Sequence, residues 1–120
     1  PDNEYWIMLG DFNGYSRHDN YKYKYNDASL GFASQEFMNS HESPYFDLVA
    51  EMYPGVFQPS HKNTHRIDYV FVTKCLLNAC AGVECPRDEF CKPRKVEGHK
   101  YCLPSDHSPI IFEFKISKLK

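Results

Sequence analysis

The chain has 120 residues, 42% of them apolar and 16% aromatic, enough for one domain with a buried core and too apolar for a disordered segment. Its formal charge of −2 and pI near 6.3 speak against a protein that grips nucleic acid mainly by charge. No apolar run approaches the roughly 18 residues of a membrane helix, so no membrane span is expected.

Tyr5-Trp6-Ile7-Met8-Leu9 is a continuous apolar run stopped by Gly10, the pattern of a strand buried on both faces. The run begins almost at once after Pro1-Asp2-Asn3-Glu4, which predicts a segment cut from a longer protein. Asp11 to Asn26 is polar and without period, a long loop of the kind that carries function at strand ends. Ser34 can cap a helix with Phe37 and Met38 as its apolar positions. After Pro44, the helical spacing of Phe46, Val49, Ala50 and Tyr53 predicts a second helix around Phe46 to Met52, ended by Pro54-Gly55.

Val56-Phe57 predicts a short strand, and Ser60 to His65 a polar loop. Ile67 to Thr73, β-branched and aromatic, predicts a strong strand, with a further one over Leu76 to Val83. In the last strand, Ile110, Phe112, Phe114 and Ile116 alternate against Ile111, Glu113 and Lys115. The order strand, helix, helix, strand, strand, strand predicts an α/β (α+β) fold around a mixed sheet.

Five cysteines lie at Cys75, Cys80, Cys85, Cys91 and Cys102. Their C-x4-C-x4-C-x5-C-x10-C spacing lacks the paired C-x2–4-C steps of a zinc site. The last four can close two disulfides in three ways, with Cys75 left as a buried thiol; such crowding leans to a secreted or extracytoplasmic setting. A reduced, cysteine-rich surface loop is the alternative.

Three segments carry acids at strand ends: Gly10-Asp11-Phe12-Asn13, Arg66-Ile67-Asp68-Tyr69 and Ser105-Asp106-His107-Ser108-Pro109. Asp11 can orient or deprotonate water, and the Asn13 amide can donate to a phosphoryl oxygen as charge grows there. Both residues are also common turn formers. Asp68, inside an apolar strand, is costly unless it is paired or works. It can orient a histidine, or pair with Arg66 across the i, i+2 spacing of one strand face. His107 can donate a proton to a phosphoryl oxygen, and Asp106 can help hold a hard divalent cation. Nothing in the sequence separates most of His18, His41, His61, His65 and His99 from surface residues.

In this order and spacing the three segments resemble the endonuclease/exonuclease/phosphatase superfamily, the deoxyribonuclease I-like fold. The resemblance runs from Trp6 to Phe114, as the C-terminal half of that domain, with a cysteine-rich insertion at about 78–104. It implies half of a four-layer sandwich, with a mostly antiparallel sheet carrying helices on one face. It further implies that Asp11 activates water and that Asn13 binds the scissile phosphate. Asp68 then orients His107, His107 contacts the phosphate in the transition state, and Asp106 lies near Mg2+ (or Mn2+). Ser16 to Asn20 resembles a loop at the active-site rim of bacterial members, with Arg17 and Asn20 as substrate contacts.

The implied activity is divalent-metal-dependent hydrolysis of a phosphate ester, whether in nucleic acid, a phosphoinositide or a phospholipid headgroup. The family's N-terminal half, with its metal-binding Glu, is absent from these residues, so the fragment alone is expected to be inactive and to need that half as partner. Two alternatives stand beside this reading. One is a non-catalytic binding or scaffold module that keeps the half-fold without the metal site. The other is a small secreted disulfide module, which leaves Asp68 unexplained.

Overall fold

The computed structural model describes residues 3–19, 37–38, 40–62, 64–90, 98 and 105–119, with the side chains of 17, 89 and 90 excepted. Its centre is a strand, β3 (Asp68–Thr73), flanked by β1 (Ile7–Asp11) and β2 (Tyr45–Asp47) in the order β1-β3-β2. Both pairings are antiparallel. Ile7 lies opposite Val72 and Asp11 opposite Asp68 on one side, and Phe46 opposite Val72 on the other.

The Asp-Tyr-Val-Phe-Val-Thr sequence of β3 suits this place, because β-branched and aromatic side chains fill both faces of a covered strand. Val70 and Val72 enter a core with Leu48, Val49, Leu76 and Val83. Tyr69 and Phe71 turn to the opposite face, beside Met38, Phe12 and Tyr45. Leu48, Phe71 and Val72 are fully buried, each worth about 2 kcal/mol of hydrophobic stabilisation.

A second sheet pairs β4 (Cys80–Glu84) antiparallel with β5 (Ile111–Phe114), with a register shift between Cys80 and Gly82. Val83, Ile110, Phe112 and Phe114 pack into the core that Val70 and Val72 share. Helices α1 (Leu48–Met52) and α2 (Lys74–Ala79) place Leu48, Val49 and Leu76 in that same core. A short helix, α3 (Arg87–Phe90), follows β4. The fold is therefore α+β, with two small antiparallel sheets. No helix of the described residues is long and apolar enough to cross a membrane.

Several expectations need correction. The first strand is shifted to Ile7–Asp11 and is not buried on both faces: Trp6 is 54% and Leu9 59% exposed. It is an edge strand, so only its β3 side is paired. Phe46 belongs to β2 rather than to a helix, because Asp47 starts α1 by accepting a hydrogen bond from Ala50 N at 3.3 Å. Residues 74–79 form a helix before β4, where a single strand over Leu76 to Val83 was expected.

Val56 and Phe57 form no strand, Phe37 and Met38 lie in a turn, and Ile116 is 83% exposed in a 3-10 turn, Ile116–Lys118. Ser34 lies outside the described residues. Part of the segment expected as a cysteine-rich insertion is regular, since β4 and α3 fall within it. Cys75, Cys80 and Cys85 are free thiols, and Cys75 is half-exposed rather than buried. Cys91 and Cys102 lie outside the described residues.

Candidate functional site

Asp11 ends β1 and Asp68 begins β3, and the antiparallel register sets them directly opposite each other. Directly opposed strand residues project to the same face, so two carboxylates meet there, and like charges so placed repel. His107 relieves the repulsion: its Nδ1 lies 2.8 Å from Asp68 Oδ2. Ligand atoms of Asp11, Asp68 and His107 all fall within 4.8 Å of one another. The hydrogen bond to Asp68 raises the pKa of His107 above its ordinary value, against the opposing effect of burial, and the charges of Asp68, Asp106 and Asp11 add to the rise. A proton shared on Nδ1 leaves Nε2 as the ring's second donor or acceptor site.

Local backbone holds each member. Asp11 Oδ1 accepts from Asn13 N at 2.9 Å, and Asn13 takes a left-handed φ of 48° that Asn tolerates. Phe12 N extends the ladder to Ile67 O at 2.9 Å, while its ring packs edge-on against Tyr69 and Phe71. Ser60, buried, accepts from both Ile67 N and Asp68 N at 3.0 Å. The loop that carries His107 docks on the same segment. Ser108 N donates to Ser60 O, Lys62 N donates to Asp106 O, each at 2.8 Å, and His61 bridges His107. His107 N also donates to Ser105 Oγ at 3.0 Å.

Asp106 is half exposed, with Oδ2 3.4 Å from His61 Nε2 and Oδ1 3.9 Å from His107 Nε2. An open cleft of about 200 Å³ lies beside the acids, between the two sheets. Leu9, Asp11, Asp68, Ser108 and Phe112 help to line it. Oxygen donors of this type fit Mg2+, which is commonly held by one or two carboxylates and waters. Asp106 is the carboxylate suited to that role, because Asp68 is occupied by the imidazole.

Among the sequence-predicted site residues, the fold brings Asp11, Asp68 and His107 together, with Asp106 beside His107. Asn13 is exposed and tied to Asp11 through its backbone. Arg17 opens a 3-10 turn, Arg17–Asp19. Its side chain, and Asn20 altogether, lie outside the described residues.

Arg66 corrects another expectation. It does not pair with Asp68 but is buried, with Nη1 and Nη2 on the two carboxylate oxygens of Asp47 and Nε on Asp19 Oδ2. It precedes β3, so the shared-face rule does not apply, and two buried carboxylates need its charge. Burial raises the pKa of Asp19, which Arg66 partly offsets. This triad ties the Arg17–Asp19 turn to the end of β2, while Tyr69 OH donates to Gly14 O at 2.9 Å. Together they anchor the chain that leaves Asp11.

Sequence reasoning missed Ser60 and His61. Their role comes from the long-range docking of two loops, and no local spacing signals it. No protein-family model matches the chain, and no curated protein matches it.

Proposed function

We propose that the chain is the C-terminal half of an endonuclease/exonuclease/phosphatase domain that hydrolyses a phosphate ester with Mg2+ (or Mn2+). The observation that carries this reading is the 2.8 Å pair of His107 and Asp68, set against a second carboxylate, Asp11, directly across the sheet. Asp68 fixes the imidazole and favours its protonated form, so His107 can donate a hydrogen bond or a proton to a phosphoryl oxygen. Asp11 orients and deprotonates the attacking water. The Asn13 amide donates to a phosphoryl oxygen as negative charge builds there.

Asp106 would hold the divalent ion, which would supply charge neutralisation at the phosphate. Asp11, Asp68 and Asp106 gather three carboxylates beside His107, and a divalent ion would offset their repulsion of an anionic ester. The half-domain part of the reading is supported by the exposed apolar edge of β1, where Trp6, Ile7, Met8 and Leu9 stand uncovered. These side chains alternate between the two faces of the strand, so one alternate pair could meet a missing sheet, and the other half would supply a further metal-binding Glu. Substrate class stays at the level of a phosphomonoester or phosphodiester.

The test is turnover of bis(4-nitrophenyl) phosphate in Mg2+ by the chain together with the residues that precede it in its gene. His107→Ala and Asp11→Ala should each lower kcat by at least about 100-fold, the usual worth of general acid–base catalysis, with the far-UV circular dichroism unchanged. A kcat within threefold of wild type in either variant removes that residue from the mechanism.

A further inference from the structure

His61, Asp106 and His107 bring two imidazole nitrogens and a carboxylate oxygen within 4.8 Å of one another. We propose that these three side chains form a binding site for a divalent transition-metal ion such as Zn2+ or Co2+, distinct in its donors from the oxygen-held Mg2+ of the reaction above. Imidazole nitrogens favour such ions over Mg2+, which prefers oxygen.

The donors stand close together but wider than in a formed site. In a tetrahedral zinc centre with bonds of about 2.0 Å, neighbouring donors stand about 3.3 Å apart. His61 Nε2 and Asp106 Oδ2 are 3.4 Å apart, and His107 Nε2 is 3.9 Å from Asp106 Oδ1. The His61 and His107 ring centroids are 4.7 Å apart, with the planes tilted by 49°. The two imidazoles address different oxygens of one carboxylate, and the three donors would draw in from within 4.8 Å around an ion, a movement open to Asp106, whose side chain is 49% exposed.

The backbone assembles the donors before any ion arrives. His61 and His107 pair across an antiparallel bridge, and Lys62 N donates to Asp106 O at 2.8 Å. Little ordering entropy is left to lose on binding. The outer shell is also in place. His107 Nδ1 lies against Asp68 Oδ2, and a ligating histidine characteristically gives its other ring N–H to a carboxylate, which fixes Nε2 as the metal donor. Three protein donors leave a fourth position for water or an anion.

Asp106 cannot serve both ions in full, and His107 bound to metal through Nε2 cannot give a proton to substrate, so Zn2+ opposes the Mg2+-dependent reaction; that consequence rests on the hydrolase reading, whereas the binding itself does not. The test titrates the chain, free of other divalent ions, with Co2+ followed by visible absorption and with Zn2+ in competition with a chromophoric chelator. One equivalent should bind, without the near-ultraviolet charge-transfer band of a cobalt thiolate. His61→Ala and Asp106→Asn should each weaken Zn2+ binding at least tenfold, and Asp68→Asn about tenfold, as loss of an outer-shell carboxylate does. Asp11→Asn should change it less than threefold.

A thiolate band, no binding at all, or unchanged affinity in Asp106→Asn overturns the proposal. So does a larger loss in Asp11→Asn than in His61→Ala. Asp106 is exposed enough for its variant to fold, so the test survives if His61→Ala does not. Zinc binding with this variant pattern, together with no phosphoesterase turnover by a protein that carries both halves of the domain, would refute the hydrolase reading alone.

Discussion

The buried cluster of Arg66 with Asp47 and Asp19 predicts an asymmetry that the bonding geometry fixes. Arg66 is 2% exposed and meets Asp47 through two parallel bonds of 2.9 and 2.8 Å, and Asp19 through one of 2.8 Å. Asp47→Asn replaces one acceptor of the fork with an N–H donor that faces another donor. No orientation of the amide satisfies both arms, and the guanidinium loses its main counter-charge. Breaking a buried pair in this way costs about 3–5 kcal/mol. Unfolding entropy is about 2.1 cal/mol/K per residue, which for a chain of 120 residues converts about 4 kcal/mol into a fall of about 16 °C in Tm.

Asp19→Asn differs. Its single acceptor role is kept by the amide oxygen, burial already disfavours its charge, and a one-to-one pair of Arg66 with Asp47 remains. The expected cost is about 1 kcal/mol or less, that of a modest change in one hydrogen bond. Urea unfolding followed by far-UV circular dichroism measures both, with m unchanged in each variant. Equal costs for the two variants would refute the assignment of the Arg66 charge to Asp47.

Two further predictions concern the His107 support. In a 15N-detected NMR titration, Asp68→Asn should bring the His107 pKa down towards the ordinary imidazole value, because its largest raising influence is the hydrogen bond to Asp68. A raised folded-state pKa gives stability that is fully present below the unfolded value of about 6.5 and is lost as pH rises through the folded value. That part of the pH dependence should shrink in Asp68→Asn, where only the charges of Asp106 and Asp11 still raise the pKa, and an unshifted titration would contradict the pairing. Ser60→Ala removes the acceptor of Ile67 N and Asp68 N, so stability should fall by about 2 kcal/mol and those two amides should exchange faster. A change under about 0.5 kcal/mol, the usual range for surface sites, would show that water replaces the hydroxyl.

The strands that frame the site were legible because their signal is local. Ile67 to Thr73 is β-branched, and the inward set Ile110, Phe112 and Phe114 alternates with exposed Ile111 and Glu113, as their burial in and around β5 bears out. The carboxylates at strand ends were legible too, because a charge in an apolar run is conspicuous. Burial of β1 was not, since a continuous apolar run reports capacity for burial while its neighbours decide coverage. Phe46 misled because a strand residue followed directly by a capped helix falls on helical spacing with Val49 and Ala50. The partners of Arg66 and the place of His61 depend on contacts between distant segments, such as the bridge from His61 to His107, which spacing does not encode.

The central claim is that Asp68 sets His107 for proton donation to a phosphate ester. The most direct measurement is the pH–rate profile in Mg2+ of the full protein that carries this chain, wild type against Asp68→Asn. The account predicts a wild-type kcat that falls as pH rises through the elevated His107 pKa, and in Asp68→Asn a lower kcat whose falling limb moves to lower pH, in step with the NMR titration. A limb that stays in place while the His107 titration moves would contradict it.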